Sequence, residues 1–294
     1  AWGGQPARAG GPAAGGLAGA GTGAGIPLYL GGHDHIVGMN GVRTLFGFDT
    51  MFDSIGSASV LGGTVEMSAQ AMEEMLRNSE DLIAGVAHAP GAYYVENSTR
   101  YFGKLLEVVA RLLGAEDPAA FYARANERLA GELAAGGGPK RVPLFFVEGD
   151  RIVRRDQIGF DIADLDMTVD ADAIVWGLYL YLAAMTRTIY EEIGGMFADP
   201  VFVAGGGASR NELLMHVTCD VVGRPITLLG QSELSALGAA LTAAEGAGDE
   251  QTILAARSKL EETTIEPSGL SAERDRHADE VRSRMLERWS RRRG

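Results

Sequence analysis

The stretch "VFVAGGGASRNELLMHV", residues 201–217, sets the fold class. Val201 to Ala204 read as a short buried strand, Gly205, Gly206 and Gly207 as a turn, and the apolar positions after Arg210 recur at helical spacing. The same order returns downstream, where "RPITLL" (224–229) is a β-branched run followed by a helical stretch through "SELSALGAALTAAEGAG" (232–248). Upstream, a long helix predicted from about Ala171 to Ile193 leads into Val201 through Gly194 and Gly195. Strands that alternate with helices in this way predict an α/β architecture with parallel elements.

The turn at 205–207 has a chemical reading beside the structural one. Without a Cβ, glycine lets the backbone come close to a ligand, and the free N–H groups of the following helix suit a phosphate. Ser209 and Glu212 have the spacing of a capping box, which predicts that Ser209 caps this helix. The pattern is neither GxGxxG nor GxxxxGK[ST], so this turn is neither a Rossmann fingerprint nor a P-loop. Many such turns bind nothing, and on these residues alone both readings stand. The small residues of "SALGAA" predict a helix packed tightly on the sheet.

A second stretch, "YLGGHDHIVG" (29–38), follows a short strand predicted over Ile26–Leu30. If the chain stays extended, His33 and His35 point to one side and Asp34 to the other. Gly31 and Gly32 leave room beside Asp34 for a substrate hydroxyl, which suits a general base; a simple turn aspartate fits equally. Two histidines on one side suit zinc, but such a site needs three or four ligands. His88, His216 and His277 stand in no metal spacing, so no metal is assigned. Further strands are predicted in "MFDSIGSASV" (51–60), "GAYYVE" (91–96) and "VPLFFVEGD" (142–150). Paired amphipathic helices are predicted in "YFGKLLEVVARLLG" (101–114) and "PAAFYARANERLAGELAAGG" (118–137).

Composition narrows the partners. A net charge of -13 over 294 residues excludes nucleic acid or an anionic membrane as the main partner, since both require a basic surface. The apolar run at 173–185 is too short to span a bilayer, so no membrane segment is expected. A single cysteine, Cys219, and the lack of a basic region followed by an apolar one at the start predict a cytoplasmic setting.

Taken together, "GGHDHIVGMNG" (31–41), "FDSIGSASVL" (52–61), "VAGGGASRNELLMHVTCDVVGRPI" (203–226) and "ELSALGAALTAAEG" (233–246) resemble the carboxy-terminal half of the FGGY carbohydrate kinases, the family of xylulokinase, glycerol kinase and fuculokinase. The resemblance runs from Ile26 to Ala247. It implies an actin-like ATPase (ribonuclease H-like) fold, with ATP and Mg2+ in a cleft between two domains and a sugar or polyol phosphorylated on a hydroxyl. In that scheme Asp34 matches the catalytic base, and His33 and His35 look like substrate-pocket residues. Gly56 and Ser57 match a Gly-Thr turn that meets the transferring phosphate, with Ser in place of Thr. Gly205, Gly206, Gly207 and Asn211 match the turn and helix start that hold the nucleotide, Asn211 at the adenine edge.

The implied organisation is a flexible Gly/Ala-rich lead-in over 1–25, a nucleotide-binding domain over 26–250 and a charged helical tail over 251–294. The family's amino-terminal domain, with its aspartate and Gly-Thr hairpin, has no counterpart here, and the helix "AIVWGLYLYLAAMTRT" (173–188) lacks the Glu-Gly pair often found in the family. A separate amino-terminal chain, or a homodimer, is therefore expected to complete the cleft. The contrasting expectation is a non-catalytic module, derived from such a kinase, that binds nucleotide or a partner.

Overall fold

A computed structural model describes residues 31–79, 82–135, 138–139, 142–147, 159–231, 233–268, 279–280, 282–284 and 287. The lead-in over 1–25, the strand expected at Ile26–Leu30 and most of the expected tail helix from Ser271 lie outside these residues.

Asp34 opens a helix, which corrects the extended reading of the His-Asp-His triplet. Helix α1 (Asp34–Phe46) starts directly after the two glycines, with the carboxylate in its first turn, where the helix dipole favours negative charge. Strands β1 (Thr50–Ile55) and β2 (Ser59–Glu66) form an antiparallel hairpin around Gly56 and Ser57. Ser68 caps α2 (Ala69–Asn78), accepting a hydrogen bond from the Ala71 amide at 3.2 Å. Strands β3 (Ile83–Val86) and β4 (Ala92–Thr99) continue the antiparallel side of the sheet. The two predicted amphipathic helices follow as α3 (Phe102–Leu112) and α4 (Pro118–Ala134), the latter begun by the Asp117 cap and Pro118.

A separate ribbon pairs β5 (Leu144–Val147) with β6 (Phe160–Ala163). The long apolar helix α5 (Ala171–Gly194) is buried along most of its length, which is why its pattern is nearly continuous and not one-sided. The quoted stretch then forms β7 (Val201–Gly205), a 3-10 turn (Ala208–Arg210) and α6 (Glu212–Val222). Strand β8 (Ile226–Leu229), helices α7 (Leu234–Ala247) and α8 (Glu250–Ser258), and strand β9 (Glu262–Ile265) complete the order. The segment expected as a helical tail beyond 250 thus adds both α8 and an edge strand to the main sheet.

The sheet order is β3-β4-β2-β1-β7-β8-β9, with β1, β7 and β8 parallel at its centre. Alternation along β1 sends Met51 and Ile55 into the large core beneath α3 to α6, and Phe52 into a smaller one under α1 and α7. On that second face α1 and α7 meet backbone to backbone: a Cβ on Gly41 would lie 2.5 Å from the Gly238 Cα, and one on Gly238 would lie 2.2 Å from the Val37 carbonyl oxygen. The small residues of "SALGAA" therefore serve a helix–helix contact, a correction to the sheet packing expected. Asn40 donates to Thr242 Oγ1 at 2.9 Å and Arg43 pairs with Glu245 at 2.6 Å, fastening α1 to α7. Among the described residues no helix is long and apolar enough to cross a membrane.

Candidate active site

Parallel strands β1 and β7 end side by side, with Ser54 opposite Gly205, so the turns that follow them lie together at one end of the sheet. A Cβ on Gly206 would approach the Ile55 carbonyl oxygen to 2.6 Å, and its φ is +114°, so glycine is required there by the fold itself. Gly205 is likewise closed in by Leu234, whereas a Cβ on Gly207 would meet nothing within 4 Å. Of the three glycines, Gly207 is the one that borders open space.

The capping box expected from Ser209 and Glu212 is not formed. Ser209 Oγ donates instead to the Gly206 carbonyl at 2.7 Å, holding the 3-10 turn, and Asn211 caps α6 by accepting from the Leu214 amide at 3.2 Å. The 3-10 turn displaces the helix start by two residues, from Ser209 to Asn211.

Across the adjacent hairpin, the carbonyl oxygens of Gly56 and Ser57 accept the Gly103 and Lys104 amides of α3, each at 3.1 Å. A Cβ on Gly103 would lie 2.3 Å from the Gly56 oxygen, so glycine permits this seat. Both carbonyls are thus used by the fold, and the hydroxyl of Ser57, which is exposed, has no hydrogen-bond partner among the described residues.

Helix α1 brings Asp34 to the same end, because it runs down the sheet face from its exposed first residue toward the start of β1. Asp34 Oδ1 gathers three contacts: His33 Nδ1 at 2.7 Å, His35 Nδ1 at 3.3 Å and the His35 amide at 2.9 Å. Among the described residues its Oδ2 meets no partner. The two imidazoles meet edge to face, 4.6 Å between centroids. One ligand atom from each of His33, Asp34 and His35 lies within 4.8 Å of the others. This nitrogen-rich set suits a transition metal and not magnesium, which prefers oxygen.

Two residues that the sequence did not single out stand behind the triplet. Glu96 on β4 is buried, has its Oε1 3.8 Å from His35 Nε2, and leaves Oε2 without a partner. Burial raises the Glu96 carboxyl above the usual range, and burial likewise lowers His35, opposed by Asp34. His88 Nε2 lies 3.2 Å from the Gly31 carbonyl, beside the glycines. A third group surrounds Asn211: Asn126 of α4 and the buried Tyr179 of α5 join it in a ring of hydrogen bonds of 2.8–2.9 Å.

A family model for the carboxy-terminal domain of the FGGY family of carbohydrate kinases matches residues 58–247. The chain belongs to that family. Its curated relatives include a glycerol kinase of Myxococcus xanthus, 33% identical over 108 residues that make up 36% of this chain and 21% of the relative. A ribulokinase of Shouchella clausii is 37% identical over 73 residues, 24% of this chain and 13% of the relative. Among solved structures, a xylulose kinase from Rhodospirillum rubrum aligns with a TM-score of 0.72 at 20% identity, over 92% of this chain and 52% of that one. A Plasmodium falciparum glycerol kinase with ADP aligns with a TM-score of 0.62 at 16% identity, over 90% of this chain and 51% of that one. The FGGY chain therefore spans about half the length of these structures and has their actin-like ATPase fold. The matched segment holds Gly205, Gly206, Gly207 and Asn211; His33, Asp34, His35, Gly56 and Ser57 precede it.

Proposed function

We propose that this chain is the base-carrying, nucleotide-binding half of an ATP-dependent kinase acting on a hydroxyl of a sugar or polyol. The observation that carries the reading is Asp34, whose contacts to described residues all go to Oδ1, at the sheet end where the turns at Gly56–Ser57 and Gly206–Gly207 lie together. ATP supplies the phosphoryl group. Its phosphates fit the Ser57 hydroxyl and the open space beside Gly207, which any side chain would fill. Magnesium arrives on those phosphates, and no residue of this chain is assigned to it.

Phosphoryl transfer relies on positioning and charge stabilisation, so the protein's own work is modest in chemistry and strict in geometry. Asp34 Oδ2 accepts the proton of the substrate hydroxyl as its oxygen attacks the terminal phosphorus of ATP, whose bond to the bridging oxygen breaks so that ADP leaves with that electron pair. The contacts to Oδ1 keep the carboxylate from turning away. His33 and His35 border the place where that hydroxyl must sit, and their ring nitrogens suit the other hydroxyls of a polyol. The amino-terminal half of the kinase, on the same or a separate chain, closes the cleft and excludes water.

Asp34→Asn tests the reading, in protein supplied with an amino-terminal half and a panel of sugars and polyols. Phosphorylation should fall by roughly 10²–10⁴-fold while affinity for magnesium-ADP holds. An undiminished rate would remove Asp34 as the base. A wild-type protein that binds nucleotide and phosphorylates nothing would favour the non-catalytic module.

A further inference from the structure

The turn into α1 does what an extended chain could not, setting both histidines against the carboxylate between them. His33 Nδ1 lies 2.7 Å and His35 Nδ1 3.3 Å from the same oxygen, Asp34 Oδ1. One ligand atom from each of the three residues lies within 4.8 Å of the others. Donors held about 2.0 Å from one tetrahedral ion stand about 3.3 Å apart, so both measured separations are within about 0.6 Å of what zinc requires. His33, whose side chain is 66% exposed, has the freedom to close what remains.

A second, independent observation lies behind the triplet. Glu96 on β4 is 6% exposed, its Oε2 has no hydrogen-bond partner among the described residues, and its Oε1 faces His35 Nε2 at 3.8 Å. A carboxylate in that place keeps the imidazole hydrogen on Nε2. The Nδ1 of His35 then turns a lone pair toward Asp34 Oδ1, and two acceptors 3.3 Å apart repel each other unless a cation joins them. An imidazole with a carboxylate at its back and a lone pair in front is arranged as a metal ligand. The buried Glu96 carboxyl, otherwise short of partners, gains one by holding it.

We propose that His33, Asp34 and His35 form a site for a zinc-class transition ion, with Glu96 as the positioning residue behind His35, and that the bound ion suppresses phosphoryl transfer. Two nitrogens and one oxygen leave the fourth position of a tetrahedral ion on the solvent side, where the Asp34 side chain is 71% exposed. Magnesium does not compete for this set, because it prefers oxygen ligands and keeps its waters. The suppression rests on the reading of Asp34 as the base. An ion on that carboxylate draws charge from it and takes the space beside it where the substrate hydroxyl must sit. No step of the transfer uses the ion.

The experiment is calorimetric titration of the untagged, chelator-treated 294-residue chain with zinc chloride. Zinc should bind at one ion per chain, and excess magnesium chloride should not displace it. Glu96→Gln should weaken binding by about 10–100-fold, the cost of losing an outer partner, without lowering the melting temperature of the metal-free chain. His35→Ala removes a ligand and should weaken it further; His33→Ala, on the exposed side chain, takes its place if that variant unfolds. A purely structural role for Glu96 would move the melting temperature and leave zinc affinity as it was. In protein supplied with an amino-terminal half, at buffered free zinc, the concentration that halves phosphorylation should rise in Glu96→Gln by the same factor as the dissociation constant.

Zinc held as tightly by a folded variant lacking both histidines would be adventitious and would overturn the site. An affinity unchanged in Glu96→Gln would remove Glu96 from it. Zinc bound through the triplet with phosphorylation undiminished would uphold the site and overturn the suppression, and with it the reading of Asp34 as the base.

Discussion

Asp53 shows how much a single buried carboxyl can do to this domain. It lies on β1, three residues before Gly56, wholly buried, with Ser59 Oγ donating to its Oδ1 at 2.7 Å and Oδ2 without a partner. Burial pushes its pKa from 3.8 to about 7, against the opposing hydrogen bond from Ser59. The folded chain therefore holds a proton at Asp53 that the unfolded chain releases above pH 3.8. Its contribution to stability is full below that pH and is lost as pH rises through 7, by up to about 4 kcal/mol for a gap of this size. Asp53→Asn should keep the bond to Ser59 and flatten this dependence, raising the melting temperature more at pH 8 than at pH 5. Equal gains at both pH values would show that Asp53 does not titrate in this window. At this scale the sequence displays chemistry without conformation. Asp34 could be singled out from "GGHDH", yet a strand end and a helix start suit those residues equally until the chain beyond them packs. Glu96, Asn126 and Tyr179 leave no local trace, because what gives them a role is a partner distant in sequence; Asn126 and Asn211 stand 85 positions apart.

Among the elements, those with long periodic patterns could be read directly: α3, α4 and α5 follow from their apolar spacing, and β7 and β8 from short β-branched runs bounded by turns. The start of α6 could not, since both Ser209 and Asn211 are good caps and only the intervening 3-10 turn decides between them. Short pieces such as α2, β3, β6 and β9 take their form from neighbours more than from themselves. The glycine turn illustrates why residue type alone misleads here, since its members do different work. Gly206→Ala should cost about 1–3 kcal/mol of stability, because of its positive φ and the Ile55 oxygen. Gly207→Leu should leave the melting temperature within a degree or two and still abolish nucleotide binding, its side chain occupying the space open beside it. Retained affinity in Gly207→Leu would place the phosphates elsewhere. The α1–α7 contact can be probed in the same way: Gly238→Val must force apart two backbones, so denaturant unfolding should register a loss of at least about 1–3 kcal/mol. A neutral result would mean that α1 slides on α7 and that Asp34 is not held by that contact.

For the molecule as a whole, the parallel centre of the sheet was legible because strand and helix alternate along the chain, whereas its antiparallel flank was not, since β2, β4 and β3 carry no signal for their order. Helices α1, α3 and α6 all begin at one end of this sheet, each turning its positive pole the same way. Around that end is a chain with a net charge of -13. An incoming nucleotide thus meets two fields of opposite sign and different range. Salt screens the long-range repulsion of the whole acidic surface, while the poles of the helices act within a turn or so and are screened less. Stopped-flow association of free ADP should accordingly quicken as ionic strength rises from 0.01 to 0.1 M, over which the screening length shrinks from about 30 to about 10 Å. A slowing would mean that the helix poles prevail even at a distance. If it quickens, the arrival of nucleotide is limited by the ionic atmosphere, and a divalent ion that reduces its charge in solution acts as an escort before any chemistry begins.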